Sequence, residues 1–243
     1  MSNDLIPADV FGEVSTQVAS DEDFESIGSS SKFLRRLELK SKGALIDTGK
    51  VRPGHYCVVK SSDDADDLGD SIDLLVLARK PKAIDMSDAG QIIVTYDRNS
   101  EVFKDIEKRS SVKDSRCQFG VTFLVIERST GKLYEFFCGT VSSQREIPAI
   151  SDHMRLTAEQ IKARGLKDVK PHGPLPLTLK SKRVENKNKG YSWFVPVPKT
   201  CSNPFTAEQI PSPDVIKAEI EKFLAPDENA PKAEAASGKG RAR

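Results

Sequence analysis

Close cysteine pairs are missing from this chain. Its four cysteines, Cys57, Cys117, Cys138 and Cys201, stand singly along 243 residues, and its three histidines, His55, His153 and His172, are equally scattered. A structural zinc site draws two ligands from one tight turn, so this spacing argues against one, and buried free thiols are the expected state. Long apolar runs are also lacking. No stretch approaches the ~20 residues a membrane helix needs, and the opening MSNDLIPADVFGEV has neither the basic flank nor the apolar run of a signal peptide. A soluble, cytoplasmic protein is expected. Aromatic residues are few, at 7% of the chain, with a single Trp, so each exposed ring carries weight.

Charge is present in quantity and unevenly placed. The net charge is only +1, but residues 1–31 hold seven acids and no Lys or Arg, while 214–243 hold six of each sign. The remainder, 32–213, therefore carries +8. A basic body attracts polyanions, of which nucleic acid is the commonest in a cytoplasm.

The apolar pattern predicts a mainly β fold with a few short helices, an OB-fold-like barrel or a sandwich between disordered tails. Residues 1–31 read as an acidic disordered tail, 32–205 as a β-rich nucleic-acid-binding domain, 206–225 as a linker and short amphipathic helix, and 226–243 as a second disordered tail. Phe33–Lys40 alternates as a half-buried strand. His55–Lys60 follows an Arg-Pro-Gly turn, and Ser61–Asp70 reads as an acidic loop. Ile72–Ala78 is apolar enough to be covered on both faces, with Arg79, Lys80 and Lys82 expected at its end. Gln91–Tyr96 is a further strand. Ser100 is placed to cap a helix bearing Val102, Phe103 and Ile106. Val121–Arg128 and Leu133–Thr140 form one hairpin, and Thr157–Gln160 reads as a capping box opening a helix that stops at Gly165. Ser212 and Pro213 open a helix with Ile216, Ile220, Phe223 and Leu224 as its apolar stripe.

Catalytic chemistry finds little support. Ser129-Thr130-Gly131-Lys132 lacks both the earlier glycine and the following hydroxyl of a phosphate-binding loop. The Asp63–Asp70 loop places Leu68 and Leu75 where an EF-hand needs oxygens. Neither an enzyme, a cofactor nor a metal is expected.

The second hairpin, after Pro174, is the one constellation with a mechanism. Leu175, Leu177 and Leu179 alternate with Lys180 and Lys182; Arg183 follows, Lys187 and Lys189 sit in the loop, and Tyr191, Trp193 and Phe194 lie on the return. Residues 174–199 carry six cations against one acid. Single-strand binders combine cations that follow the phosphates with rings on which bases stack. Alternation puts Tyr191, Trp193, Val195 and Val197 on one face, read as the core face continuing Leu177 and Leu179, with Phe194 on the other. Phe194 and loop-proximal Tyr191 are the stacking candidates, and Arg35, Arg36, Arg79, Lys80 and Lys82 are candidates to extend the patch.

The order of elements resembles a group of bacteriophage OB-fold single-stranded-DNA-binding proteins over about residues 33–205. The matching pieces are Phe33–Leu37, Gly54-His55-Tyr56, Ile72–Lys82, Cys117–Phe123 and Leu179–Cys201. The resemblance implies single-stranded DNA as partner, and coating of transient single strands in replication or recombination. It also implies replication or recombination proteins recruited through the tails, with a homo-oligomer allowed. Such proteins often end in an acidic tail that competes with DNA; here the acid lies at the N-terminus instead, and residues 1–31 are the candidate for that role. The competing expectation is a non-enzymatic structural or interaction protein of a phage, virion or host-directed, assembling through the tails and the 216–224 helix.

Overall fold

The computed structural model describes residues 34–88, 91–112, 115–165, 169–171, 173–188, 190–203 and 205–225. Both expected tails and Lys189 lie outside the described residues. Strands take 41% and helices 27% of what is described, so the chain is mainly β.

Nine strands form one mixed sheet: β1 (Arg36–Leu39), β2 (Tyr56–Val59), β3 (Ala65–Gly69), β4 (Ser71–Asp88), β5 (Gln91–Thr95), β6 (Cys117–Glu127), β7 (Lys132–Cys138), β8 (Leu175–Asn186) and β9 (Tyr191–Lys199). Their order is β3-β2-β1-β7-β6-β4-β8-β9, with β5 paired to β4 off this path. Only β1 and β7 run parallel. The sheet does not close into a barrel.

The helices are α1 (Ala44–Asp47), α2 (Glu101–Ser110), α3 (Val141–Gln144), α4 (Ile147–Ala163) and α5 (Pro213–Leu224), with a 3₁₀ turn at Ala207–Gln209. The central strands are covered on both faces, which explains their unbroken apolar runs. On one face Leu74, Val76, Phe123 and Val125 pack with Leu175, Leu177 and Leu179 under Ile150, Met154, Ala158 and Ile161 of α4. On the other, Leu75, Leu77, Leu124 and Ile126 pack under Phe205, Ile210, Ile216 and Phe223.

Several expectations change in detail. The strand expected to end at Ala78 continues to Asp88, so Arg79, Lys80 and Lys82 are interior to β4. Pro81 pairs with Val121 of β6 on one side, while on the other β8 pairs β4 only through Val76 and β5 pairs it only from Ala83, so that side of β4 is a local edge at Pro81, where proline is tolerated. Part of the expected acidic loop is the edge strand β3, paired antiparallel to β2. Thr157 is a buried interior residue of α4, whose real start is Ile147 with Pro148 in the first turn. Segment 206–225 is no linker: Ile210, Ile216 and Phe223 belong to the second core. The Ser100 cap holds as read, its hydroxyl accepting from the Phe103 N–H at 3.2 Å.

Candidate nucleic-acid interface

Strand β8 pairs with β4 only up to Lys180. Beyond that point β8 and β9 leave the sheet as a two-stranded ribbon, and β9 is the sheet's terminal strand. The register sets what each face of this ribbon carries. Lys180 pairs with Val197, Lys182 with Val195, Val184 with Trp193, and Asn186 with Tyr191. Directly opposed residues in an antiparallel pair point to the same side. Lys180, Lys182, Tyr191 and Trp193 therefore share one face. That corrects the expectation that Tyr191 and Trp193 continue the leucine face.

Lys180 and Lys182 are exposed, Tyr191 is 53% exposed and Trp193 is half-buried. The two rings meet at 5.6 Å between centroids with 41° between planes. An exposed ring leaning on a half-buried one holds its orientation while leaving a π-face open. Arg183 and Lys187 are also exposed, Arg183 facing the other side and paired with Glu185 at 3.2 Å.

Phe194 is on the opposite face, where it pairs with Arg183. It is an anchor rather than a stacking platform. Its N–H donates to Ser41 Oγ at 3.0 Å, and its ring lies flat against Gly54. Gly54 has φ +82°, and any Cβ there would overlap the Phe194 ring, so glycine is required twice over. This contact ties the ribbon back to the β1–β2 end of the sheet.

The remaining candidates divide. Arg35, just before β1, and Arg36, its first residue, are exposed, with Arg36 Nε 3.6 Å from Glu38. Arg79, Lys80 and Lys82 are held by internal partners because β4 runs on through them. Arg79 donates to Ser151 Oγ at 2.7 Å. Lys80 donates to the Phe223 carbonyl and sits 3.6 Å from the Tyr96 ring centroid. Lys82 is 6% exposed and bonds Glu135 at 2.6 Å. These three pin helices and a strand to the sheet and do not extend an open patch.

A cleft of about 610 Å³ opens where β1 diverges from β7, at the ends of β1, β4 and β7. Arg36, Lys40, Lys42 and Lys82 line it against Glu38 and Glu135, and Trp193 and Phe194 form its ribbon side. Trp193 thus joins ribbon and cleft. Lys40, Lys42, Glu135 and Phe137 were missed in the sequence; the continued alternation Arg36, Glu38, Lys40 was the only available signal.

A second cleft, about 390 Å³, surrounds Asp73. Burial pushes the Asp73 carboxyl up, but bonds from Thr178 (2.6 Å), Asn203 (2.8 Å) and Arg128 (3.1 Å) outweigh it and hold the group below the usual carboxylate range. These bonds link β4, β8 and residue 203, which is a structural use. The four cysteines are free and buried; burial pushes the Cys138 thiol up to about 12 and Cys57 to about 11. No cluster of three metal-ligating side chains occurs among the described residues. No helix among the described residues is long and apolar enough to cross a membrane.

Comparison with known proteins finds no matching family model, no matching curated protein and no matching solved structure.

Proposed function

We propose that the chain binds single-stranded DNA along the Lys180–Lys182–Tyr191–Trp193 face of the β8–β9 ribbon, coating strands exposed in phage replication or recombination. The register of the hairpin carries this reading, because it sets two exposed cations and an exposed ring on the same side of the ribbon. Cations neutralise phosphates, and each stacked base contributes ~1–3 kcal/mol. The +8 charge of residues 32–213 adds long-range attraction. Arg183 and Lys187 lie at the ribbon's far end, and Arg35 and Arg36 border the cleft side.

The alternative, a structural or interaction protein assembling through the tails and the 216–224 helix, finds less support in the helix, where Ile216 and Phe223 pack against this chain's own sheet and only Leu224 of the apolar stripe is strongly exposed. Fluorescence anisotropy with a labelled oligo-dT at several salt concentrations tests the proposal. Affinity should fall steeply with salt, and K180A/K182A should flatten the log–log slope by ~0.7 per lost phosphate contact. An unchanged slope and affinity in the double variant removes the ribbon from the binding site.

A further inference from the structure

The cleft beside Trp193 has features that coating of a sugar-phosphate strand does not need. Its volume, about 610 Å³, lies within the ~300–1,000 Å³ typical of small-molecule sites. Phe137 is half-buried in its wall, with Lys82 Nζ 5.3 Å from the ring centroid. Glu135 Oε1 already accepts from Lys82 at 2.6 Å and Thr122 at 2.7 Å, while Oε2 has no hydrogen-bond partner among the described residues. A carboxylate with one oxygen saturated and the other open, 85% shielded from solvent, is a fixed acceptor beside a fixed donor. At the rim Lys40 is part-exposed, and Lys42 and Arg36 are exposed.

We infer that this cleft is a base-reading pocket that takes a single unstacked guanine nucleotide. The inference rests on the ribbon's proposed role, and it names what the adjoining cleft would select. Guanine alone among the four bases presents a carbonyl acceptor next to two N–H donors on one edge. O6 would accept from Lys82 while N1–H and the 2-amino group donate to Glu135 Oε2. The ring would lie along Phe137 and Trp193, and the 5′-phosphate would meet Arg36, Lys40 and Lys42. Cytosine and adenine put an amino donor beside a ring-nitrogen acceptor, and thymine offers only one donor, so none satisfies the open carboxylate oxygen as fully. A carboxylate left facing an acceptor is penalised, which is how such a site rejects the wrong base.

The chain's single Trp, Trp193, is the reporter. Its emission is followed while the full chain is titrated separately with dGMP, dAMP, dCMP, dTMP and dIMP. dGMP should give saturable quenching at least tenfold tighter than dAMP, dCMP or dTMP. dIMP, which lacks only the 2-amino group, should bind about tenfold more weakly than dGMP, the scale of one hydrogen bond to a charged group. This comparison needs no protein variant, so folding cannot confound it. The exposed-rim variant K40A/K42A should weaken dGMP yet leave guanosine unaffected. E135Q should erase the preference among bases while leaving oligo-dT affinity intact. Equal quenching by all four nucleotides, or none by any, overturns the pocket. Oligo-dT binding that persists in that case leaves the ribbon reading standing, and loss of both rejects the two together.

Discussion

Asp85 is the clearest case of a single side chain holding distant segments together. It accepts from the Ser87 N–H at 2.8 Å, from Arg109 of α2 at 2.6 Å and from the Cys117 thiol of β6 at 3.4 Å. The Ser87 hydroxyl and backbone, with Arg109 and Cys117 behind them, hold its carboxyl far below the usual range despite burial. The sign follows directly: a depressed carboxylate stabilises the fold above its unfolded value of ~3.9, and that stability is lost as pH falls toward the folded value. Asp85→Asn should therefore lower stability at pH 7 and flatten its decline between about pH 4 and pH 2, as read by urea unfolding. Parallel curves for the variant and the parent would rule the network out as an acid-sensitive tie. At this scale the sequence told less. Lys82 and Arg79 look like exposed cations in any linear reading, because nothing local announces Glu135 or Ser151, 53 and 72 residues away.

Among elements, the β8–β9 hairpin was legible from alternation and turn residues, and so were β6–β7 and the Ser100-capped helix. The facing of Tyr191 and Trp193 was not. Alternation shows that Tyr191, Trp193, Val195 and Val197 share a side, but the pairing of Lys182 with Val195 decides which side, a register that alternation alone does not give. The length of β4 was hidden for a related reason, since Arg-Lys-Pro-Lys reads as a strand terminus until one knows that Pro81 is paired on one side only, to Val121 of β6. The ribbon's tie to the sheet is itself testable. Gly54→Ala places a Cβ into the Phe194 ring at a backbone angle that L residues rarely adopt. It should cost more than about 1 kcal/mol and speed amide exchange at Phe194, whose N–H is held by Ser41. Retained protection at Phe194 would show that the ribbon is anchored elsewhere.

For the whole molecule, the charge distribution foretold a basic body and the apolar pattern a mainly β one, and the nine-stranded sheet with two apolar faces is the β body. Many short strands pointed to an OB-fold-like barrel or a sandwich. The sheet is open, and beyond Lys180 its β8–β9 ribbon carries exposed Lys182 and Tyr191 and half-buried Trp193 on one face, with Val195 buried beside Lys182. Binding of single strands along the Lys180–Lys182–Tyr191–Trp193 face is the central claim, and covalent mapping of bound DNA tests it most directly. Full-length chain is irradiated with a bromodeoxyuridine-substituted oligo-dT and the crosslinked peptides are sequenced. Adducts should concentrate at Tyr191 and Trp193 and fall away in Tyr191→Ala, whereas adducts confined to other parts of the sheet, with residues 180–194 unmodified, would contradict it.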